Sequence, residues 1–230
     1  MMRQLAFELV QPAEPTFGNF VAGRNAEVKD RLQSVAAGAS DERYVYVWGV
    51  PGSGRTHLLK AIAAGMTAAG RRCAYVACDT ATTTMPSTAG LDCLLVDDVQ
   101  RLPPDGQVAL FNACNAMRER GAAMVAAGDA PAVQLPLQAD VITRLGWGLV
   151  YQLHALTDEE KMQALADYAR QLGFELDDGI ADYLLRHVAR DMGSLLAMLR
   201  ALDRYSLEAK RPVTLPLVRE LVRAKTSSTH

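Results

Sequence analysis

The sequence predicts an α/β body, a parallel sheet covered by helices on both faces, followed by an all-helical domain. Three observations carry this. Apolar, β-branched runs alternate with helical periodicities through the first 154 residues. A glycine-rich turn joins the first of those runs directly to a helix-like segment. Beyond about residue 155 the strand-like runs stop and helical texture continues alone.

Taken in order, RYVYVW (43–48) is a strand rich in β-branched and aromatic residues, and it runs straight into GVPGSGRT (49–56). HLLKAIAAGMTAAG (57–70) follows as a helix with Leu58, Leu59, Ile62, Ala63 and Met66 on one face and Gly70 as its stop. RCAYVAC (72–78) is a second buried strand, and a loop rich in Thr, Pro and Ser (80–90) separates it from DCLLVDDV (92–99), a third. QVALFNACNAMRERG (107–121) is helical, AAMVAAG (122–128) is a fourth strand and LVYQL (149–153) a fifth. Thr157 and Glu160 form a T-x-x-E capping box that opens a helix over 158–172, ended by Gly173. Further helices are expected from Asp177, over 193–209 and over 214–224, with Pro216 tolerated in a first turn. The expected division is residues 1–15, then an α/β domain over 16–154 and a helical domain over 155–230.

Composition bounds the function. The chain has 230 residues, half of them hydrophobic, which suffices for one large core and a small satellite. With 24 basic against 26 acidic side chains there is no basic surplus of the kind that duplex-binding domains usually carry, although a local patch stays open. Cys73, Cys78, Cys93 and Cys114 show no C-x-x-C spacing, so zinc and disulfide readings are disfavoured. No signal peptide and no apolar run of 18 residues is present, which points to a soluble, cytoplasmic protein without a membrane partner.

GVPGSGRT carries the chemistry. Against the phosphate-loop pattern G-x-x-x-x-G-K-[ST], only the lysine is missing, and Arg55 stands in its place. Gly49, Gly52 and Gly54, with Val50, Pro51 and Ser53 between them, would turn backbone N–H groups toward one anion at the start of a helix. Thr56 would give a hydroxyl to Mg²⁺, and His57 follows on the helix. LLVDD (94–98), about 40 residues on, ends a strand in two carboxylates. Asp97 is placed to hold the Mg²⁺ shell and Asp98 to polarise an attacking water. A glycine turn without a ligand, or acids that merely cap a helix, would use the same residue types; the strand before and helix after favour the phosphate loop. Arginine keeps the charge of lysine but is a bulkier planar fork. It should retain the nucleotide while misplacing a γ-phosphate, and an error near ~1 Å costs about 100-fold in rate. Binding with little intrinsic hydrolysis is the expectation.

These motifs resemble the AAA+ body of the bacterial replication initiator DnaA. GVPGSGRTHLLKA is similar to its GxxGxGKTHLLHA segment. TFGNFVAGRNAEV (16–28) resembles the stretch that forms part of the family's adenine pocket, which implies that Phe20 and Val21 touch the base. LLVDDVQRL resembles the Walker B strand, VAAGDAP (125–131) the sensor 1 strand with Asp129 at the sensor position, and VITRLGWGLVYQL (141–153) the arginine-finger segment with the finger at Arg144. RDMGSLLAML (190–199) aligns with the sensor 2 helix, but the expected arginine falls at Gly193, so that role is not transferred. The fold implied is an AAA+ P-loop body with a five-stranded parallel sheet and a helical lid.

The N-terminal QLAFEL (4–9) resembles the Q-L-x-L-x-L peptide that docks on the sliding clamp, the β subunit of DNA polymerase III, with Gln4, Leu5, Phe7 and Leu9 as anchors. The chain stops at His230, where DnaA-type initiators continue into a DNA-binding domain. The combination resembles the Hda family of regulatory inactivators of DnaA. The resemblance implies a resident ADP or ATP with Mg²⁺, DnaA and the clamp as partners, and contact with DNA mainly through the clamp. It further implies that Arg144 acts in trans on ATP held by DnaA, which prevents re-initiation. A homo-oligomer is compatible with this pattern. Two alternatives stay open: a self-sufficient DnaA-like ATPase or helicase loader, and an interaction module with a degenerate site.

Overall fold

A computed structural model describes residues 13–188 and 191–226. The peptide containing Gln4, Leu5, Phe7 and Leu9 lies outside the described residues. The chain divides into two compact units, one spanning Pro15–Ala155 and the other beginning at Leu156.

The first unit contains α1 (Ala26–Ala37), β1 (Tyr44–Trp48), α2 (Arg55–Ala68), β2 (Cys73–Ala77), β3 (Cys93–Asp97), α3 (Pro104–Glu119), β4 (Ala123–Gly128), α4 (Ala139–Leu145) and β5 (Leu149–Gln152). The five strands form one parallel sheet in the order β2-β3-β4-β1-β5. Strands β3 and β4 are buried along their whole length, as strands covered on both faces must be. Because successive side chains alternate, the sheet sends Val45, Val47, Cys93, Leu95, Val125 and Ala127 to one face. There they meet Val28, Leu32 and Val35 of α1 and Leu58, Leu59 and Ile62 of α2. Tyr46, Leu94, Val96, Met124 and Ala126 point the other way, onto Leu110, Cys114 and Met117 of α3 and Val141 and Leu145 of α4. Each fully buried aliphatic side chain contributes roughly 1.5–3 kcal/mol.

Two helices, α1 and α4, are not among the expected elements and only overlap the motif segments 16–28 and 141–153, and α2 and α3 begin two or three residues earlier than the periodicity suggests. The shift of α2 matters for the site, since Arg55 and Thr56 become its first residues. All four cysteines are free thiols, and burial pushes Cys73 up to about 11 and Cys78 and Cys114 up to about 12.

The second unit holds α5 (Asp158–Gln171), α6 (Asp178–His187), α7 (Met192–Ala209) and α8 (Leu215–Thr226). The capping box forms as the sequence predicts: the Glu160 N–H donates to Thr157 Oγ1 at 3.1 Å and the Thr157 N–H to Glu160 Oε2 at 2.8 Å. Leu165, Ile180, Leu184, Leu195, Met198, Leu202, Val218 and Leu221 make its core. Asp191 caps α7, accepting the Ser194 N–H at 2.8 Å, and Gly193 lies in that first turn, where it offers no side-chain donor. Among the described residues no helix is long and apolar enough to cross a membrane.

Candidate functional site

The strand order decides where the motifs meet. β3, β4 and β1 are consecutive neighbours, all parallel, so the segments leaving their carboxyl ends share one edge of the sheet. Those segments are Asp97–Asp98, Asp129 and the glycine loop from Gly49. The carboxyl edge is also where open α/β sheets bind ligands.

The loop is built tightly on one side and open on the other. The Gly49 N–H donates to the Gly128 carbonyl at 3.2 Å, and a Cβ on Gly49 would lie 2.4 Å from the Leu153 carbonyl oxygen. Gly52 takes φ +83°, and a Cβ there would meet nothing within 4 Å, so that side of the turn faces open space. Gly54 takes φ +98°, and its missing Cβ leaves room for the Phe20 ring, whose Cε2 would be 2.7 Å away. Val50, Pro51 and Thr56 are exposed, whereas Ser53 is buried.

The predicted adenine segment reaches the loop. The Phe20 ring sits 5.4 Å from the His57 ring, and His57 Nε2 lies 3.0 Å from the Thr16 carbonyl. Burial lowers the His57 imidazole below its ordinary 6.5, opposed by that hydrogen bond. His57 is therefore already held by the chain's own backbone. Val21, next to Phe20, is half-buried.

Asp97 is 2% exposed and both its oxygens have partners: Tyr75 donates its hydroxyl to Oδ2 at 2.9 Å, and the Asp98 N–H donates to Oδ1 at 3.0 Å. A carboxylate has lone pairs beyond these two, so capacity for a cation remains. Asp98 takes the left-handed conformation at φ 53°, ψ 46° and does not continue the strand, contrary to the run expected over 92–99. It accepts Gln100 Nε2 at 3.1 Å, and its Oδ1 lies 3.4 Å from Arg55 Nη2. Asp129 is exposed at the end of β4. Tyr46, 1% exposed, donates its hydroxyl to the Ala130 carbonyl at 2.7 Å and so ties the loop after β4 to β1. Burial raises the Tyr46 phenol; Asp129 adds to that rise and Arg55 opposes it, so both charges act within its field.

Two buried polar groups at this edge have no hydrogen-bond partner, Ser53 Oγ and Arg55 Nη1. Buried donors are ordinarily satisfied, and orphans beside a glycine turn open at Gly52 fit a phosphate chain. The exposed hydroxyl of Thr56 and the carboxylate of Asp97 suit Mg²⁺ in donor type.

Arg144 does not join this cluster. It stands in the last turn of α4, and the chain then passes through Gly148, where a Cβ would lie 1.9 Å from the Tyr44 carbonyl at the start of β1. The chain leaving α4 thus leads to the amino-terminal edge of the sheet, away from the glycine loop. The guanidinium lies 4.2 Å above the Phe111 ring and 5.0 Å from the Trp147 ring, is 3.8 Å from Asp140, is 21% exposed, and leaves Nε buried without a partner.

The sequence reading missed three supporting residues: Tyr46, Tyr75 and Asn25. Asn25, 2% exposed, exchanges two 2.8 Å hydrogen bonds with the backbone of His154, tying the adenine segment to the end of β5. Asn25 precedes α1 and reads as an N-cap, but its side chain makes no cap bond, and nothing local reveals its distant partner.

The comparisons accord with this geometry. Residues 12–152 match the sequence profile of the bacterial DnaA ATPase domain, and residues 158–222 match that of the lid domain of Hda. Domain III of DnaA from Thermotoga maritima is 21% identical over 93% of this chain and 98% of its own, with a TM-score of 0.70. AMPPCP-bound DnaA from Aquifex aeolicus is 19% identical over 87% of this chain and 68% of its own, at TM-score 0.68. A RuvB mutant from T. maritima is 14% identical over 93% and 73%, at TM-score 0.59. At these identities the solved structures establish the fold, AAA+ with a helical lid.

Proposed function

Since the chain belongs to the bacterial DnaA ATPase-domain family and carries a Hda-type lid, we propose that it is a nucleotide-bound regulator of replication initiation. It docks on the sliding clamp through Gln4, Leu5, Phe7 and Leu9 and presents Arg144 to ATP held by DnaA, which promotes hydrolysis and prevents re-initiation. The pairing of a DnaA-type body with a Hda-type lid is the observation that carries this reading.

The residues fit such a division of labour. The glycine turn, Arg55 and Ser53 would hold the phosphates, Phe20 and Val21 the base, and Thr56 with Asp97 the Mg²⁺. The bound ADP or ATP supplies negative charge that neutralises Arg55 and joins the loop to its surroundings. Arg144 stands at the far edge of the sheet from that loop, which favours a target on another molecule. Stabilising charge on a transferring phosphoryl group in this way is worth about 10³–10⁵ in rate. To reach a partner, the guanidinium must leave Phe111 and Trp147, a cost of about 1–2 kcal/mol for two partly exposed cation–π contacts.

Clamp docking is tested by deleting residues 4–9 and measuring co-purification with the clamp on primed DNA. The reading predicts loss of the complex while the isolated chain keeps its thermal melt. Retention of the clamp by the shortened chain would refute the peptide assignment.

A further inference from the structure

Arg55 occupies the position where a phosphate loop has lysine, and the structure shows what else the side chain does. Its side chain is 10% exposed, and Nη2 lies 3.4 Å from Asp98 Oδ1. Its other terminal nitrogen, Nη1, is buried without a partner. A guanidinium presents separate donor edges in a rigid plane and can serve two acceptors at once, whereas an ammonium is a compact, mobile point charge. One edge here is spent inside the protein and one remains.

Asp98 is fixed from its own side as well. Its backbone sits in the left-handed region, uncommon for a residue with a side chain, and Gln100 Nε2 donates to the same Oδ1. The Gln100 amide, by a hydrogen bond, and the guanidinium, as an ion pair, therefore both face one oxygen of Asp98. Asp97, the neighbouring acid, is held instead by the Tyr75 hydroxyl and the Asp98 N–H.

We propose that Arg55 and Asp98 form a built-in lock on the nucleotide site, in which one arm of the guanidinium withholds Asp98 from water while the other holds phosphate. This rests on the nucleotide reading above and adds its cause: the site retains what it binds because the residue that grips the phosphate also immobilises the base. Restoring lysine, a compact charge without a second arm, releases Asp98, so turnover rises although Gly193 still offers no side-chain donor.

The test is a double-mutant cycle on the full chain with Arg55→Lys, Asp98→Asn and both together, with Arg55→Gln as a second replacement should the lysine variant not fold. Urea unfolding without nucleotide reads the pair itself. Asp98→Asn should raise the unfolding equilibrium constant about ten-fold when Arg55 is present, because a buried arginine loses its partner. In either Arg55 variant the same change should shift it less than about two-fold. Single-turnover hydrolysis reads the consequence: Arg55→Lys should gain at least about ten-fold, and adding Asp98→Asn should abolish the gain. Binding of a fluorescent ADP analogue to wild type is measured first, and its failure would overturn the nucleotide reading and the lock together. Intact binding with equal effects of Asp98→Asn in both backgrounds, or a gain that survives Asp98→Asn, overturns the lock alone.

Discussion

Gly52 and Gly54 both take positive φ, yet the structure assigns them different costs of substitution. Replacing either by alanine places a side chain in a backbone region that L-residues rarely occupy, at roughly 1–2 kcal/mol. At Gly52, with φ +83° and nothing within 4 Å of the added Cβ, that is the whole cost. At Gly54, with φ +98°, the Cβ would also lie 2.7 Å from Phe20 Cε2 and 3.4 Å from Cζ. The ring must move, and overpacking of this kind adds about 1–3 kcal/mol. Gly54→Ala should therefore cost about 2–5 kcal/mol, against roughly 1–2 for Gly52→Ala. At about 2–4 °C per kcal/mol, the Gly54 variant should melt about 4–20 °C below wild type. Adding Phe20→Ala to each variant in urea melts isolates the contact: the double variant with Gly54→Ala should recover about 1–3 kcal/mol relative to additivity, and that with Gly52→Ala nothing. Equal destabilisation by the two glycine changes, or additivity in both doubles, would refute the placement of Phe20 over the loop.

Other expectations follow from the same geometry. Asn25→Ala removes two 2.8 Å bonds and leaves the half-buried His154 N–H and carbonyl without partners, so the body should lose about 1–3 kcal/mol in urea unfolding; a loss below about 0.5 kcal/mol would contradict the tether. Burial holds His57 below 6.5 in the folded chain, so the unfolded state binds more protons as acid is added. The stability that its neutral form supports is present above about pH 6.5 and is lost as the pH falls toward the folded value. Melting temperature should thus decline more steeply below pH 6.5 in wild type than in His57→Gln, and parallel curves would contradict the assignment.

The strands and the glycine turn between β1 and α2 are legible in the sequence because local signals agree there. YVYVW has the composition of a strand, the glycines follow it at once, and Leu58, Leu59, Ile62 and Met66 repeat at helical spacing. The order β2-β3-β4-β1-β5 then brings Asp97, Asp98, Asp129 and Arg55 to one edge. What stayed hidden depends on distant partners. Asn25 meets His154 across 129 positions, and Arg144 lies on Phe111 from a different helix. No pattern within a window of ten or twenty residues encodes such contacts. The Arg55–Asp98 pair is intermediate: both residues stand out in the sequence, but their mutual engagement requires the left-handed turn at Asp98. The helix Ala139–Leu145 is only seven residues long, too short for its periodicity to be read.

The central claim is that this chain lends a positive charge to a triphosphate held by another molecule. The most direct measurement incubates wild type or Arg144→Ala with clamp loaded on DNA and ATP-bound DnaA, and follows conversion of the DnaA-bound ATP to ADP. The account predicts that the variant still binds clamp and nucleotide but loses the stimulation by about 10³-fold or more. Undiminished conversion by Arg144→Ala would contradict it.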